Sequence, residues 1–132
     1  MSNTNNNYPA RVDQYRHEYM TWKRTLEFFK QENAFLKTRL SEVVDRNTDK
    51  EFLALAEHFQ NQFIIKDEFI DELKHDINEM DANIKNGANM AKVTPDRKMD
   101  IKQNKLRNEV EYLEKNFIEL KNEFNKYLVS VL

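Results

Sequence analysis

Glu72 and His75 stand three residues apart in a stretch that reads as helix, a spacing that lets a carboxylate and an imidazole reach one metal ion together. In di-iron four-helix bundles, two such motifs project inward and glutamates from two further helices complete the site. Here the motif occurs once. On a heptad lettered with Lys66 at d, Glu72 falls at c and His75 at f, facing away from a core; His58 is also at c, and His17 is at f in the preceding helix. The expectation is three solvated histidines and no metal ligand within one chain. The alternative is a metal-binding, di-iron-like bundle protein formed on dimerisation, with Glu72 and His75 contributed by both copies. Other chemistries find less footing. The chain has no Cys and a single glycine, Gly87, so thiolate zinc sites, nucleophilic thiols, disulfides and phosphate-cradling Gly-rich loops are absent. No Ser/His/Asp order suggests a nucleophile. We expect no catalytic residue, no cofactor-binding residue and no small-molecule substrate.

Charge is the next candidate for chemistry. Lys92, Arg97, Lys98, Lys102, Lys105 and Arg107 outnumber Asp96 and Asp100 in the stretch 92–107, which could in principle meet phosphates. The stretch 67–81 is its opposite: Asp67, Glu68, Asp71, Glu72, Asp76, Glu79 and Asp81 against Lys74. An antiparallel return would lay the two blocks side by side, where each exposed pair contributes about 0.2–1 kcal/mol and fixes register more than stability. With a formal net charge of -2 there is no bulk attraction for nucleic acid or anionic lipid, and neither is expected as a partner. No apolar run approaches the roughly 18 residues of a membrane span, and no signal-peptide core opens the chain. A soluble cytoplasmic protein is expected.

Apolar residues outside the helical seams carry the strongest functional signal. Phe28 and Phe35 both fall at c in the first helix, Ile65 falls at c in the second, and Leu55 and Phe69 fall at g. If the first two helices meet along their g edges, both c positions border one outer groove. Either the third helix covers this flank, or it is a partner surface formed by Phe28, Phe35, Ile65 and Phe69, for a second copy (a homodimer) or for another protein.

The elements that must position these residues are legible from periodicity. Residues 1–9 are polar and Asn-rich and are expected to form a disordered tail, leaving 10–132 as a single domain. From Ala10 to Arg46 there is no Gly or Pro. Val12, Tyr15, Tyr19, Trp22, Leu26, Phe29, Leu36, Leu40 and Val43 step by three and four, with Asn33 the polar member at a, which is a heptad seam. Thr48 with Glu51 fits a capping box, so a second helix is expected from 48 to about 85. Its seam runs from Phe52 to Ile84 with Lys66 as the polar member, and Asn86-Gly87 is a C-terminal stop. Thr94-Pro95-Asp96 restarts the chain, and a third seam runs from Met99 to Val131. The expected fold is all-α: an antiparallel up-down-up three-helix bundle with long coiled-coil-like helices near 10–46, 48–85 and 95–131. Asn33 and Lys66 should lie within about one turn of each other across the first hairpin. There they either specify its register, with Lys66 free to send its ammonium out past Glu32 or Asp67, or line a functional polar cavity.

In this layout, and in Trp22 on the first-helix seam, the chain resembles a spectrin-like repeat. The likeness covers the arrangement and that one aromatic. The helices here are longer than that family's, and the third helix carries no tryptophan. The functional expectation is a non-enzymatic module that acts through protein–protein interaction or homo-oligomerisation.

Overall fold

A computed structural model describes residues 3–89 and 97–131, with side chains over 11–86 and 97–131. It contains three helices, α1 (Asn3–Val44), α2 (Lys50–Asn89) and α3 (Arg97–Val131), and no strand among the described residues. At 1.5 Å per residue each described helix is roughly 50–60 Å long. No helix among the described residues is long and apolar enough to cross a membrane.

Helix α1 begins at Asn3, within the stretch expected to be a tail. Its C-terminus tightens as the Arg46 N–H donates to the Val43 carbonyl and the Asn47 N–H to the Val44 carbonyl, both at 3.2 Å. The capping residue of α2 is Asp49 rather than Thr48. The Asn47 side chain accepts the Asp49 N–H (3.1 Å), and the Asp49 carboxylate accepts the Glu51 N–H (3.4 Å). Asn47 therefore folds the chain into a side-chain turn that carries Thr48 past the capping position. Helix α2 continues through Gly87 to Asn89, so the glycine lies within the last turn instead of ending it. The expected Thr94-Pro95-Asp96 restart lies outside the described residues.

The seams are buried as their spacing requires. Tyr19, Leu26, Phe63, Ile70, Ile77 and Phe124 are among the fully enclosed side chains. Aromatics concentrate near the α1–α2 turn. Phe63 meets Phe124 edge-on at 5.1 Å, Phe59 meets Phe124 at 5.3 Å, and Phe52 stacks on Tyr127 at 5.3 Å. Such pairs add about 0.5–1.5 kcal/mol each beyond their buried area. The Tyr127 hydroxyl also donates to the Phe52 carbonyl at 3.0 Å, tying the end of α3 to the start of α2.

Polar contacts set direction and neighbours. Helices α1 and α2 run antiparallel, joined by Lys23 with Asp81 (2.8 Å), Lys30 with Asp71 (3.1 Å), Lys74 with Glu27 (3.3 Å) and Lys37 with Asp67. Helices α1 and α3 run parallel at a constant offset. Arg11 pairs with Asp100, Glu18 with Arg107 (2.7 Å) and Glu32 with Lys121 (2.6 Å), in both helices at multiples of seven residues. The up-down-up bundle follows. In heptad letters, α1 presents its e edge to α2 and its g edge to α3.

Asn33 is fully buried, and its amide donates to the Phe63 carbonyl and to Asp67 Oδ1, both at 2.8 Å. The Asn33 expectation holds in height, but its side-chain partner is Asp67; Lys66 is half-buried one residue away. The acidic stretch 67–81 likewise takes its interhelical ion pairs from α1, through Arg16, Lys23, Lys30 and Lys37. Its expected partners on α3 line a shared groove with it, through Asp76, Glu79, Lys102 and Lys105, but Lys105 pairs with Glu109 of its own helix at 3.7 Å. The lysines on the facing edge of α1 take Asp67, Asp71 and Asp81 instead.

Candidate functional site

Helix α1 places Phe28 and Phe35 one heptad apart at c, and α2 places Ile65 at c. All three are solvent-exposed, at 57%, 63% and 49% of their surface. Helix α3 does not cover them. Phe69 differs: it is half-buried against the core, and its ring meets that of Tyr112 at 6.4 Å.

These residues do not share one groove. The grouping expected from sequence required α1 and α2 to meet along g edges, whereas the ion pairs place both e edges at that contact. On a helical wheel, c lies about 155° from e and about 50° from g. Phe28 and Phe35 therefore border the α1/α3 groove, while Ile65 borders the α2/α3 groove beside Phe69. The physical reason is the charge on the edges: Lys23, Lys30 and Lys37 occupy e in α1, and Asp67 and Asp81 occupy e in α2.

Each face gains a residue from α3 that sequence reasoning overlooked. Ile118, 50% exposed, lies on the α1 side of α3 at the height of Phe28, since Phe29 meets Phe117 at 5.0 Å. Tyr112, 62% exposed, lies on the α2 side with Phe69 and Ile65. The signal was present, because Ile118 and Tyr112 fall off the third seam just as Phe28 and Phe35 fall off the first. Among the described residues, every exposed large hydrophobic except Met20 and Ile101 lies between mid-bundle and the α1–α2 turn.

The other half of the bundle adds polar networks to its buried apolar seam. Tyr19 donates to Gln103 Oε1 at 2.5 Å, both side chains being fully buried, and Glu18 receives Arg107 in a two-pronged pair at 2.9 and 2.7 Å. Tyr15 and Arg11 both donate to Asp100. Hydrogen bonds from Arg11 and then Tyr15 hold the Asp100 carboxyl below its ordinary range. For Asp67, burial pushes the carboxyl up, but hydrogen bonds from Lys37 and Asn33 and the charge of Lys30 outweigh it and the net shift is downward. Asp81 behaves alike: burial raises it, and hydrogen bonds from Lys23 and Lys85 prevail. A carboxyl lowered in the folded state contributes stability that is present above its unfolded value near 3.9 and is lost as pH falls through the folded value. The urea midpoint is thus expected to hold from pH 7 to about pH 5 and to drop below about pH 4, and Asp67→Asn should flatten part of that drop. A midpoint unchanged at pH 3 would mean that these carboxylates are not paired in solution.

Glu72 and His75 both face outward; the His75 Nε2 lies 3.8 Å from Glu79 Oε2 in the next turn. Among the described residues no group of three metal-ligating side chains converges. His17 and His58 are exposed as well, His58 lying edge-on to Phe59 at 5.4 Å. What the arrangement offers chemically is apolar surface in shallow grooves, framed by charge. Comparison with protein families, with curated proteins and with solved structures finds no match.

Proposed function

We propose that this chain is a non-enzymatic helical module that works by protein–protein association through the α1/α3 face built on Phe28, Phe35 and Ile118. The observation that supports this most is the exposure of two phenylalanines one heptad apart, with a third apolar side chain across the groove. Their neighbours on the outer surface of α1 are Thr21, Thr25, Gln31 and Thr38 together with Arg24, Glu32, Arg39 and Glu42, so the two rings stand as apolar anchors within a charged rim. Leaving such a patch in water forgoes burial worth a few kcal/mol at about 25 cal/mol per Å². From Phe28 to Phe35 the apolar face spans only about 10 Å at 1.5 Å per residue, so a specific interface built on it must also bury the polar and charged residues around it. A second copy is the simplest partner, because two phenylalanines one heptad apart can meet their own twofold mates.

The test is Phe28→Glu together with Phe35→Glu. Helicity by circular dichroism should stay close to that of the parent, and the mass seen by light scattering should fall from dimer to monomer. A parent that is monomeric at high concentration assigns the face to another protein. Outright unfolding of the variant would place both residues in the core and end the proposal. So would stoichiometric iron, manganese or zinc in the purified protein that is lost on His75→Ala, since that result belongs to the metal-dependent alternative.

A further inference from the structure

The α2/α3 face differs in character from the α1/α3 face. Its floor is Ile65, Phe69 and Tyr112, with the Phe69 and Tyr112 rings in contact. Toward the far end of α2, Phe69 opens into a groove of about 930 Å³ whose walls include Glu68, Glu72 and Asp76. The acidic stretch of α2 is divided lengthwise by the bundle. Asp67, Asp71 and Asp81 pair with the lysines of α1, although Asp71, still exposed, also borders this groove. Glu68, Glu72 and Asp76 turn the other way and form no ion pair among the described residues. The basic residues nearby are Lys105, His75 and Lys102. Lys105 is engaged by Glu109 of its own helix, and His75 lies 3.8 Å from Glu79. Lys102 lines the adjoining groove beside Asp76 without pairing with it among the described residues.

We infer that the α2/α3 groove is a docking site for a basic amphipathic helical segment of another protein. The apolar floor takes the anchors of such a helix, and one to two turns further along the uncompensated carboxylates meet its lysines or arginines. Charge complementarity chooses this occupant. An acidic or neutral helix gains nothing from those carboxylates, and an anionic membrane surface is repelled by them. The inference shares the reading of the chain as an association module but uses a different face, so the two fail separately. Light scattering on the Phe28 and Phe35 variant tests the α1/α3 face, and peptide binding to the parent chain tests this groove.

The probe is a fluorescein-labelled helical peptide of about fourteen residues, with leucines at helical i, i+3, i+4 spacing and lysines elsewhere. Its twin carries glutamates in place of the lysines. Fluorescence anisotropy with the full chain should show micromolar binding of the lysine peptide, weakened by salt between about 0.05 and 0.5 M, and none of the twin. Glu72→Lys with Asp76→Lys should weaken that binding at least about tenfold, and so should Tyr112→Ser, each with unchanged helicity. The inference is overturned if the lysine peptide fails to bind, if both twins bind alike, or if the charge-reversed variant binds undiminished. A fall in the chain's own mass on Tyr112→Ser would also overturn it, by assigning the groove to a second copy.

Discussion

Replacing Phe63 with alanine is expected to cost the bundle about 3–5 kcal/mol. Phe63 is fully buried, meets Phe124 edge-on at 5.1 Å and stacks near Phe59 at 6.5 Å. Its carbonyl also receives the amide of Asn33. Truncation removes the transfer energy of the ring and leaves a cavity between helices that cannot easily close, because Asn33 on one side and Phe124 on the other are held by their own contacts. Against a total stability of about 5–15 kcal/mol for a domain of this size, the loss should shift the urea midpoint severely. The control is Phe35→Ala, the same chemical change at an exposed site, which should stay within about 0.5 kcal/mol in the monomer. Equal effects at the two positions would mean that the seam is not where the structure places it.

That contrast was legible in the sequence, because the three-and-four stepping of apolar residues separates Phe63 from Phe35 without any coordinates. Seam periodicity follows from it, while the tight turn near residue 47 and the up-down-up order were legible in the helix breaks between the seams. Other features did not. A capping box and a side-chain turn use the same residue types, so Asn47 displaced the cap from Thr48 to Asp49. Gly87 permits a helix to end but does not compel it. The larger miss was in the edges. The a and d positions say that helices pack, but not which neighbour lies to the left and which to the right. That choice sent Phe28 and Ile65 to separate faces. It was recoverable from the lysines at 23, 30 and 37 and the aspartates at 67 and 81, all at e, had edge charge been weighed residue by residue instead of in blocks. Ile118 and Tyr112 were overlooked for a simpler reason: the off-seam positions of the third helix obey the same rule as those of the first two.

Asp67 gives that edge argument its sharpest test. Its carboxylate receives Lys37, lies 3.5 Å from Lys30 Nζ and accepts the Asn33 amide at 2.8 Å, with its side chain largely enclosed. Asp67→Lys brings a third ammonium beside two others and strips Asn33 of an acceptor. The expected cost is about 3 kcal/mol, in the range for breaking a substantially buried pair, and far above the roughly 0.2–1 kcal/mol of an exposed one. Adding Lys30→Glu and Lys37→Glu to that variant reverses the charges around position 67, leaving Lys23 with Asp81 as before and setting position 30 against Asp71, which limits the recovery. The triple variant should regain about 2 kcal/mol, and Lys30→Glu with Lys37→Glu in the parent background should destabilise by a similar amount. Urea unfolding of the four proteins closes a cycle whose coupling energy is expected to exceed about 1 kcal/mol. Were the coupling near zero, the ion pairs would be ornaments on a bundle whose handedness is decided by side-chain shape in the seams. Reversed charges restoring stability would show instead that the facing e charges select which side of α1 receives α2, and therefore which apolar residues are left facing outward.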